Sequence, residues 1–230
     1  MHRLVRRAVY RLSKSPLGRL LVRVVPAPVI WRNLAQTGEL EFHRTNRWRA
    51  TPDFARNTEA LFGWMGLDPD AFDGKVVLDL GAGSRLRTAY FRGARIVVVE
   101  PLADRFLQEV EWCDLGSAER IYSRPAEEFI PELAGAVDAV VSINVLDHCF
   151  GFETILANVR RYLRADGEAI LSFDSHDVAD AMHPLVLTAE GCRAMMERAG
   201  FRIDGVSRGL GSLGSTYGHG EAITFRLSPV

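Results

Sequence analysis

The residues best suited to chemistry in this chain follow two short apolar runs. Val76–Leu80 leads directly into a turn containing Gly81 and Gly83, and Val97–Val99 ends in the carboxylate of Glu100. Glycine lets the backbone approach a ligand closely because it has no Cβ. A carboxylate about 20 residues after such a turn is placed to accept hydrogen bonds from both hydroxyls of a ribose. The pattern therefore predicts a site for an adenosine-bearing ligand with free ribose hydroxyls.

The glycine turn differs from the fingerprint of nicotinamide-dependent enzymes. That fingerprint is G-x-G-x-x-G, in which the third glycine lets the helix pack closely on the strand. Here the third position is Leu86, after Gly81 and Gly83. What remains is Asp79-x-Gly81-x-Gly83, which disfavours, without excluding, an NAD(P)-dependent oxidoreductase.

Acid–base candidates gather after the fourth and fifth predicted strands, where α/β proteins place their chemistry. They are Asn144, Asp147, His148, Asp174, His176, Asp177 and His183. Histidine is the natural proton acceptor near neutral pH, and a neighbouring carboxylate orients or charges it. We predict catalytic roles for His176, His148 and Asp147. Local packing is the alternative for His148, and Cys149 is interpreted as a small buried residue rather than a nucleophile.

These residues need a sheet to position them, and the sequence predicts one. Apolar runs alternate with amphipathic stretches, as in a parallel sheet with helical crossovers. The predicted strands are 76–80, 95–99, 119–123, 137–143 and 168–173, and the predicted helices are 102–111, 125–133, 152–163 and 188–199. Two further strands, 201–206 and 222–227, flank a long glycine-rich loop. A helical lead-in over 38–66 ends near Gly66.

Composition narrows the function classes. The chain has 230 residues, 47% of them hydrophobic and 25% charged, as in a globular protein with one main domain. The net charge of −1 argues against a large nucleic acid as partner. The three cysteines are scattered, so no zinc site is predicted and a reducing, cytoplasmic location is expected. We also expect no membrane span and no secretory signal.

The N-terminal region is basic. Eight basic residues precede the first acidic residue, Glu39: Arg3, Arg6, Arg7, Arg11, Lys14, Arg19, Arg23 and Arg32. Apolar residues recur between them at roughly helical spacing. One interpretation is a basic amphipathic segment on an anionic membrane surface; the other is a cap packed on the domain. We divide the chain into an arginine-rich helical extension or cap, 1–72, and a ligand-binding domain, 73–230.

Several ordered motifs resemble the class I S-adenosylmethionine-dependent methyltransferases, of the type 11-like kind, over residues 75–228. They are Val77-Leu78-Asp79-Leu80-Gly81-Ala82-Gly83, Val99-Glu100-Pro101, Pro125-Ala126-Glu127-Glu128, Val137–His148, Tyr162–Glu168 and Ala199-Gly200-Phe201. Each motif alone is weak, whereas the set in this order and spacing is specific.

The resemblance implies a Rossmann-like, doubly wound α/β fold: a mostly parallel seven-stranded sheet with an antiparallel last strand, here with an N-terminal helical extension. It also implies S-adenosyl-L-methionine as cofactor. The residues that it points to for cofactor binding are Asp79, Gly81, Gly83, Glu100, Pro101, Ala126, Glu127 and Asn144. Two positions depart from the family pattern: Arg85 replaces a frequent glycine, and Pro125 replaces a frequent aspartate.

The sequence therefore favours an S-adenosylmethionine-dependent methyltransferase, acting on an oxygen of a small molecule, glycan or lipid-linked saccharide. The alternatives are a degenerate methyltransferase-fold interaction module and, less favoured, the oxidoreductase. The acceptor atom, the general base and the oligomeric state are open at this point.

Overall fold

A computed structural model describes residues 15, 25–175, 179, 182–210 and 221–230. Its centre is a seven-stranded sheet in the order β3-β2-β1-β4-β5-β7-β6. β7 runs antiparallel to both of its neighbours, and the other six strands are parallel to one another. The strands are β1 (Val76–Leu80), β2 (Arg95–Val99), β3 (Arg120–Tyr122), β4 (Val137–Ile143), β5 (Leu163–Ser175), β6 (Phe201–Leu210) and β7 (Glu221–Pro229). The predicted fold is confirmed.

The strands form where apolar residues are buried on both sides of the sheet. Alternate residues of β1 belong to different cores: Leu78 and Leu80 pack on one face, and Val77 packs on the other. Side chains of a strand point alternately to the two faces, so burial on both faces requires a largely apolar run, in which Asp79 is the exception in β1. The predicted and observed bounds of β1, β2 and β4 are identical.

Helices cover the two faces and one end of the sheet. They are α1 (Ala27–Ile30), α2 (Gln36–Thr45), α3 (Pro52–Trp64), α4 (Ala103–Glu109), α5 (Phe152–Tyr162) and α6 (Ala189–Arg198). A π-helical segment, Trp31–Ala35, joins α1 to α2. Among these, α2 and α3 make up the predicted lead-in, which turns at Gly66 with a φ of 70°.

One predicted helix, 125–133, is wrong. The segment consists of turns and a short 3-10 helix, Pro131–Leu133. Its carbonyls are satisfied from outside: the Asn158 side-chain amide donates to the carbonyl oxygens of Ala126 at 2.9 Å and Glu127 at 3.1 Å. Pro131 has no N–H with which to continue a helix. Helical spacing of apolar residues does not produce a helix where the backbone groups cannot form the hydrogen bonds of a helix.

The lead-in packs on the sheet rather than beside it. Leu40 and Phe62 are buried in the same core as Val77 and Val98, and the Trp31 ring lies edge-on to Phe150 at 5.1 Å. The domain boundary at residue 72 stays a prediction. The basic residues before Pro26 lie outside the described residues. Over the described ranges, no helix combines the length and the apolarity that crossing a bilayer requires.

Candidate active site

A cavity of about 370 Å³ lies at the carboxyl ends of the parallel strands. One wall comes from the strand ends and the loops after them. The opposite wall comes from the π-helical segment, α2 and α3, including Trp31, Glu39, His43 and Trp64. The volume is in the range of small-molecule sites. Seven of the eight predicted cofactor-binding residues line it: Asp79, Gly81, Gly83, Glu100, Pro101, Ala126 and Asn144.

The two glycines of the turn are required by both conformation and space. Gly81 has a φ of 82° and Gly83 a φ of 65°, in the left-handed region that other residues avoid. A Cβ on Gly81 would lie 2.3 Å from Val145 Cγ1, and a Cβ on Gly83 would lie 2.6 Å from His43 Cε1. The turn is therefore closed on both sides by residues remote in sequence.

The two carboxylates of the predicted ligand site are buried and held in place. Asp79 Oδ2 accepts a hydrogen bond from Thr88 Oγ1 at 2.6 Å. Glu100 accepts from the backbone N–H of Gly83 at 3.0 Å and of Leu102 at 2.9 Å. Burial raises the pKa of Asp79 to about 6 and the pKa of Glu100 to about 7. Both groups consequently titrate close to neutral pH.

The predicted adenine loop is divided between two roles. Ala126 lines the cavity. Glu127 points elsewhere, and its Oε1 accepts from the backbone N–H groups of Phe150 at 2.9 Å and Gly151 at 3.1 Å. Burial raises the pKa of Glu127 despite these hydrogen bonds. Glu127 therefore links its own loop to the loop at Phe150 and Gly151. Its contact with the cofactor stays a prediction.

Asn144 combines a strained backbone with an unused polar atom. It has a φ of 57°, the single positive φ of a non-glycine residue in the described ranges. Its N–H donates to the carbonyl oxygen of Ser172 at 2.7 Å. Its Oδ1 is buried and has no hydrogen-bond partner among the residues that the structure describes. Strain of this kind is concentrated at functional sites, and the side chain is available to a ligand.

At the ends of β4 and β5, predicted catalytic residues meet others from distant parts of the chain. His148 Nδ1 lies 3.3 Å from Glu39 Oε1, and His148 Nε2 lies 3.8 Å from Asp147 Oδ2. The His148 and His183 rings are 4.4 Å apart. We call Glu39, Asp147, His148, Asp174 and His183 the carboxylate–histidine cluster. All of its members except Asp147 line the cavity; Asp147 is fully buried behind His148.

Within this cluster, His148 and the carboxylates shift one another's pKa values in opposite directions. Burial opposes ionisation of His148, but Asp147 and Glu39 outweigh it and raise the pKa of His148 to about 9. Burial likewise opposes ionisation of Glu39, yet His148 lowers the pKa of Glu39 to about 2. The His148 ring is thus positively charged at neutral pH.

The third predicted catalytic residue, His176, lies outside the described residues, as does Asp177. Their roles stay predictions.

Sequence reasoning missed Glu39 and His43, which α2 brings to the site. The Ser84 backbone N–H donates to His43 Nδ1 at 3.1 Å, and the Ser84 hydroxyl lies 2.7 Å from the same nitrogen. Burial, with the charge of Arg49, holds the pKa of His43 well below its ordinary value. The sequence did contain a signal for this pair: Glu39 and His43 are four positions apart, and residues at that spacing lie on one face of a helix.

A positive and aromatic wall completes the cavity. Arg49 and Arg87 line it, and both guanidinium groups lie over the Phe54 ring, at 5.6 Å and 4.2 Å from its centre. Burial, followed by the charge of Arg49, lowers the pKa of Arg87 to about 9. Arg85 also lies over Phe54.

Arg85, one of the two departures from the family pattern, has a structural role of its own. Its Nε donates to Asp114 Oδ2 at 2.8 Å, and its Nη1 donates to the carbonyl oxygen of Arg49. Asp114 also accepts from the backbone N–H of Leu86 at 2.7 Å. The arginine ties the glycine turn to the wall opposite, which is not what decay of a site would produce.

Comparison with known proteins finds a family for the central part of the chain. Residues 78–171 match the profile of a family described as a methyltransferase domain. No curated protein sequence matches the chain.

Solved structures match more of the chain. A Burkholderia thailandensis 1,6-didemethyltoxoflavin-N1-methyltransferase, solved with 1,6-didemethyltoxoflavin and S-adenosylhomocysteine, is 21% identical, with 80% of this chain and 81% of that chain covered and a TM-score of 0.55. A TehB-like SAM-dependent methyltransferase from Corynebacterium glutamicum is also 21% identical, with 88% and 100% covered and a TM-score of 0.57. The [4+2]-cyclase SpnF is 15% identical, with 94% and 97% covered and a TM-score of 0.56. At these identities the likeness establishes the fold, and the cyclase illustrates that one fold serves different reactions.

Proposed function

We propose that this protein, whose residues 78–171 match a methyltransferase-domain family, is an S-adenosylmethionine-dependent enzyme that transfers a methyl group to an oxygen of a small molecule or saccharide. The observation that carries the proposal is one shared cavity. It joins the predicted cofactor residues Asp79 and Glu100 to the carboxylate–histidine cluster, so a methyl donor and an acceptor can be held within one enclosed space.

The residues of the cavity wall fit the parts of S-adenosylmethionine. Glu100 would accept hydrogen bonds from the ribose hydroxyls, and Asp79 would accept one from the ammonium group. Arg87, and Arg49 on the opposite wall, also line the cavity and would attract the carboxylate. Pro101, Leu102 and Ala126 provide an apolar surface for the adenine, and the free Asn144 Oδ1 supplies a further acceptor. No residue here is a phosphate-binding lysine, in keeping with a ligand that has no phosphate.

The reaction needs alignment and a destination for one proton. When bound, S-adenosylmethionine supplies an electrophilic methyl group on a sulfonium. The cavity walls hold the acceptor oxygen in line with that group, which is a large part of catalysis in a displacement of this type. The cluster provides carboxylates and imidazoles within reach of the acceptor hydroxyl, among which the released proton is taken up. His148, which already carries a proton, and Asp147, which lies behind it, contribute to this set by orientation and charge. His176 follows β5 in the sequence and is the further candidate for the proton acceptor.

The test of the proposal is calorimetric titration with S-adenosylmethionine and S-adenosylhomocysteine, with a nicotinamide dinucleotide as control ligand. We expect micromolar binding of both sulfur ligands and none of the dinucleotide. Glu100→Ala should weaken binding by at least about tenfold, because a charged hydrogen-bond partner is worth about 1.5–3 kcal/mol. Failure of both sulfur ligands to bind would favour the interaction module, and binding of the dinucleotide alone would favour the oxidoreductase.

The acceptor class is tested by a screen in which the methyl group is radiolabelled. Hydroxylated small molecules and saccharides form one arm, and amines of matched size form the other. Transfer confined to the amines would contradict methylation at oxygen.

We further propose that the protein is cytoplasmic and that its basic N-terminal region contacts an anionic membrane surface, where a lipid-linked saccharide would be met. The support is the run of basic residues before Glu39. Co-sedimentation with anionic vesicles, full-length protein against a chain starting at Glu39, tests the contact. Equal sedimentation of the two would contradict it.

A further inference from the structure

The strongest unassigned arrangement in the molecule is part of the carboxylate–histidine cluster. Asp147, His148 and His183 each offer one ligand atom, and these atoms all lie within 4.8 Å of one another. Ligands that hold one ion tetrahedrally at about 2.0–2.2 Å lie about 3.3–3.6 Å from one another, so the three side chains would close slightly around the ion. We propose that Asp147, His148 and His183 bind a divalent transition-metal ion.

Neighbouring contacts orient these side chains. Asp147 and His148 belong to a short 3-10 turn, Leu146–His148, which follows β4 closely. Glu39 Oε1, at 3.3 Å, is placed to accept the proton on His148 Nδ1. That leaves His148 Nε2 facing Asp147 Oδ2, 3.8 Å away. A carboxylate behind a histidine in this way fixes the ring and its tautomer in metal sites.

The surroundings also suit a positive ion. Three carboxylates, those of Glu39, Asp147 and Asp174, act on His148, and Asp147 is fully buried and Asp174 almost so. Two imidazoles with one carboxylate match the preference of zinc and its neighbours in the first transition row rather than that of magnesium or calcium.

The site would be open toward the cavity. His148 and His183 line its wall, so the coordination positions that the protein leaves free face the space for the acceptor. Three protein ligands and a free position are typical of catalytic rather than structural ions.

A consequence for the reaction rests on the proposed function. An acceptor hydroxyl bound to the ion loses its proton more readily, and the proton leaves to a carboxylate of the cluster or to water. A lone pair of the oxygen then forms the new bond to the methyl carbon, while the carbon–sulfur bond breaks and its electrons stay on sulfur. Nothing is oxidised or reduced.

The test uses the full chain, free of any affinity tag and stripped with a chelator. Zn²⁺ is titrated by calorimetry, and Co²⁺ binding is followed by its visible absorption. We expect one equivalent of either ion. His183→Ala and Asp147→Asn should abolish stoichiometric binding, and Glu39→Gln should weaken it about 10–100-fold, as expected of a residue behind a ligand.

A matched control separates this site from chance binding. Glu153→Gln removes an exposed carboxylate that pairs with Arg198 and should bind as the parent does. S-adenosylhomocysteine is titrated into every variant to verify that the cofactor site is folded. Absence of stoichiometric metal binding, or equal metal affinity in His183→Ala, would overturn the metal site. If S-adenosylhomocysteine still binds in that case, the proposed function is unaffected. Metal binding without nucleoside binding would support the site and count against the function.

Discussion

Gly81 and Gly83 show how a residue's role depends on contacts made by others. Their positive φ values alone favour glycine, yet the tighter constraint comes from Val145 and His43, whose side chains occupy the space of a Cβ. The turn therefore tolerates substitution less than an isolated glycine turn would.

A matched pair of alanine substitutions measures this constraint. Gly81→Ala combines strain with a contact at 2.3 Å to Val145, and we expect it to lower the free energy of unfolding by about 2–4 kcal/mol. Gly63→Ala lies in α3 with nothing within 4 Å and should raise that free energy by about 0.5–1 kcal/mol. Denaturant unfolding measures both, and equal effects of the two would refute the explanation.

Glu100 links cofactor binding to pH. Its pKa of about 7 follows from burial, with Glu39 and Asp79 adding negative charge nearby, and only the ionised form offers all its lone pairs to a ribose. We expect the dissociation constant for S-adenosylhomocysteine to rise by up to about tenfold per pH unit below pH 7. Calorimetry from pH 5.5 to 8.5 tests this. Glu100→Gln should flatten the profile near neutrality, and an unchanged slope in that variant would assign the titration elsewhere.

The same shift has a consequence for stability without ligand. The folded pKa of Glu100 is raised above its ordinary value of 4.5, so its contribution to stability is fully present below about pH 4.5 and is lost as the pH rises through about 7. Glu100→Gln should therefore stabilise the ligand-free protein more at pH 8 than at pH 5, in melting temperatures measured beside the parent. An opposite order would mean that the side chain is not buried.

At the scale of elements, α2 covers the carboxyl ends of the parallel strands and thereby closes the space there into a cavity. It contributes Glu39 to the carboxylate–histidine cluster and His43 to the glycine turn. Because Ser84 offers both its backbone N–H and its hydroxyl to His43, docking of this helix and the shape of the turn are coupled.

A double-mutant cycle on His43→Ala and Ser84→Ala tests that coupling. We expect each change to weaken S-adenosylhomocysteine binding and the pair to interact by about 0.5–1.5 kcal/mol in the free energy of unfolding. As a control, Thr45→Ala removes a hydroxyl of α2 that bonds only within the helix. Strict additivity of the two principal changes would show that α2 docks independently of the turn.

At the scale of the whole molecule, we expect ligand binding to stabilise the residues on both walls of the cavity. The strand-end loops and α2 face the same space, so a nucleoside between them stabilises contacts on either side. The sheet edge formed by β6 lies at the far end of the strand order and serves as an internal reference.

Amide hydrogen exchange with and without S-adenosylhomocysteine measures this. We expect slowing of about tenfold or more in α2, in the turn at Gly81 and Gly83, and near Asn144, with little change in β6. Protection confined to the loops after β1 and β2 would mean that α2 does not close over the ligand.

Features that depend on residues close together along the chain could be predicted from the sequence alone. The apolar runs of β1, β2 and β4 predict the bounds of their strands to the residue, and the glycines and Glu100 that the sequence singled out line one cavity. The predicted helix at 125–133 failed for the opposite reason: Asn158, remote in sequence, takes the carbonyls that a helix would use.

Only the tertiary structure brought Glu39, His148 and His183 together, from a helix before the sheet and from two loops after it. Burial then fixed the ionisation of these groups, because removal from water makes each charge depend on its partners. Periodicity and turn chemistry are local and can be predicted along the chain, whereas which distant side chains share a buried space is decided by packing.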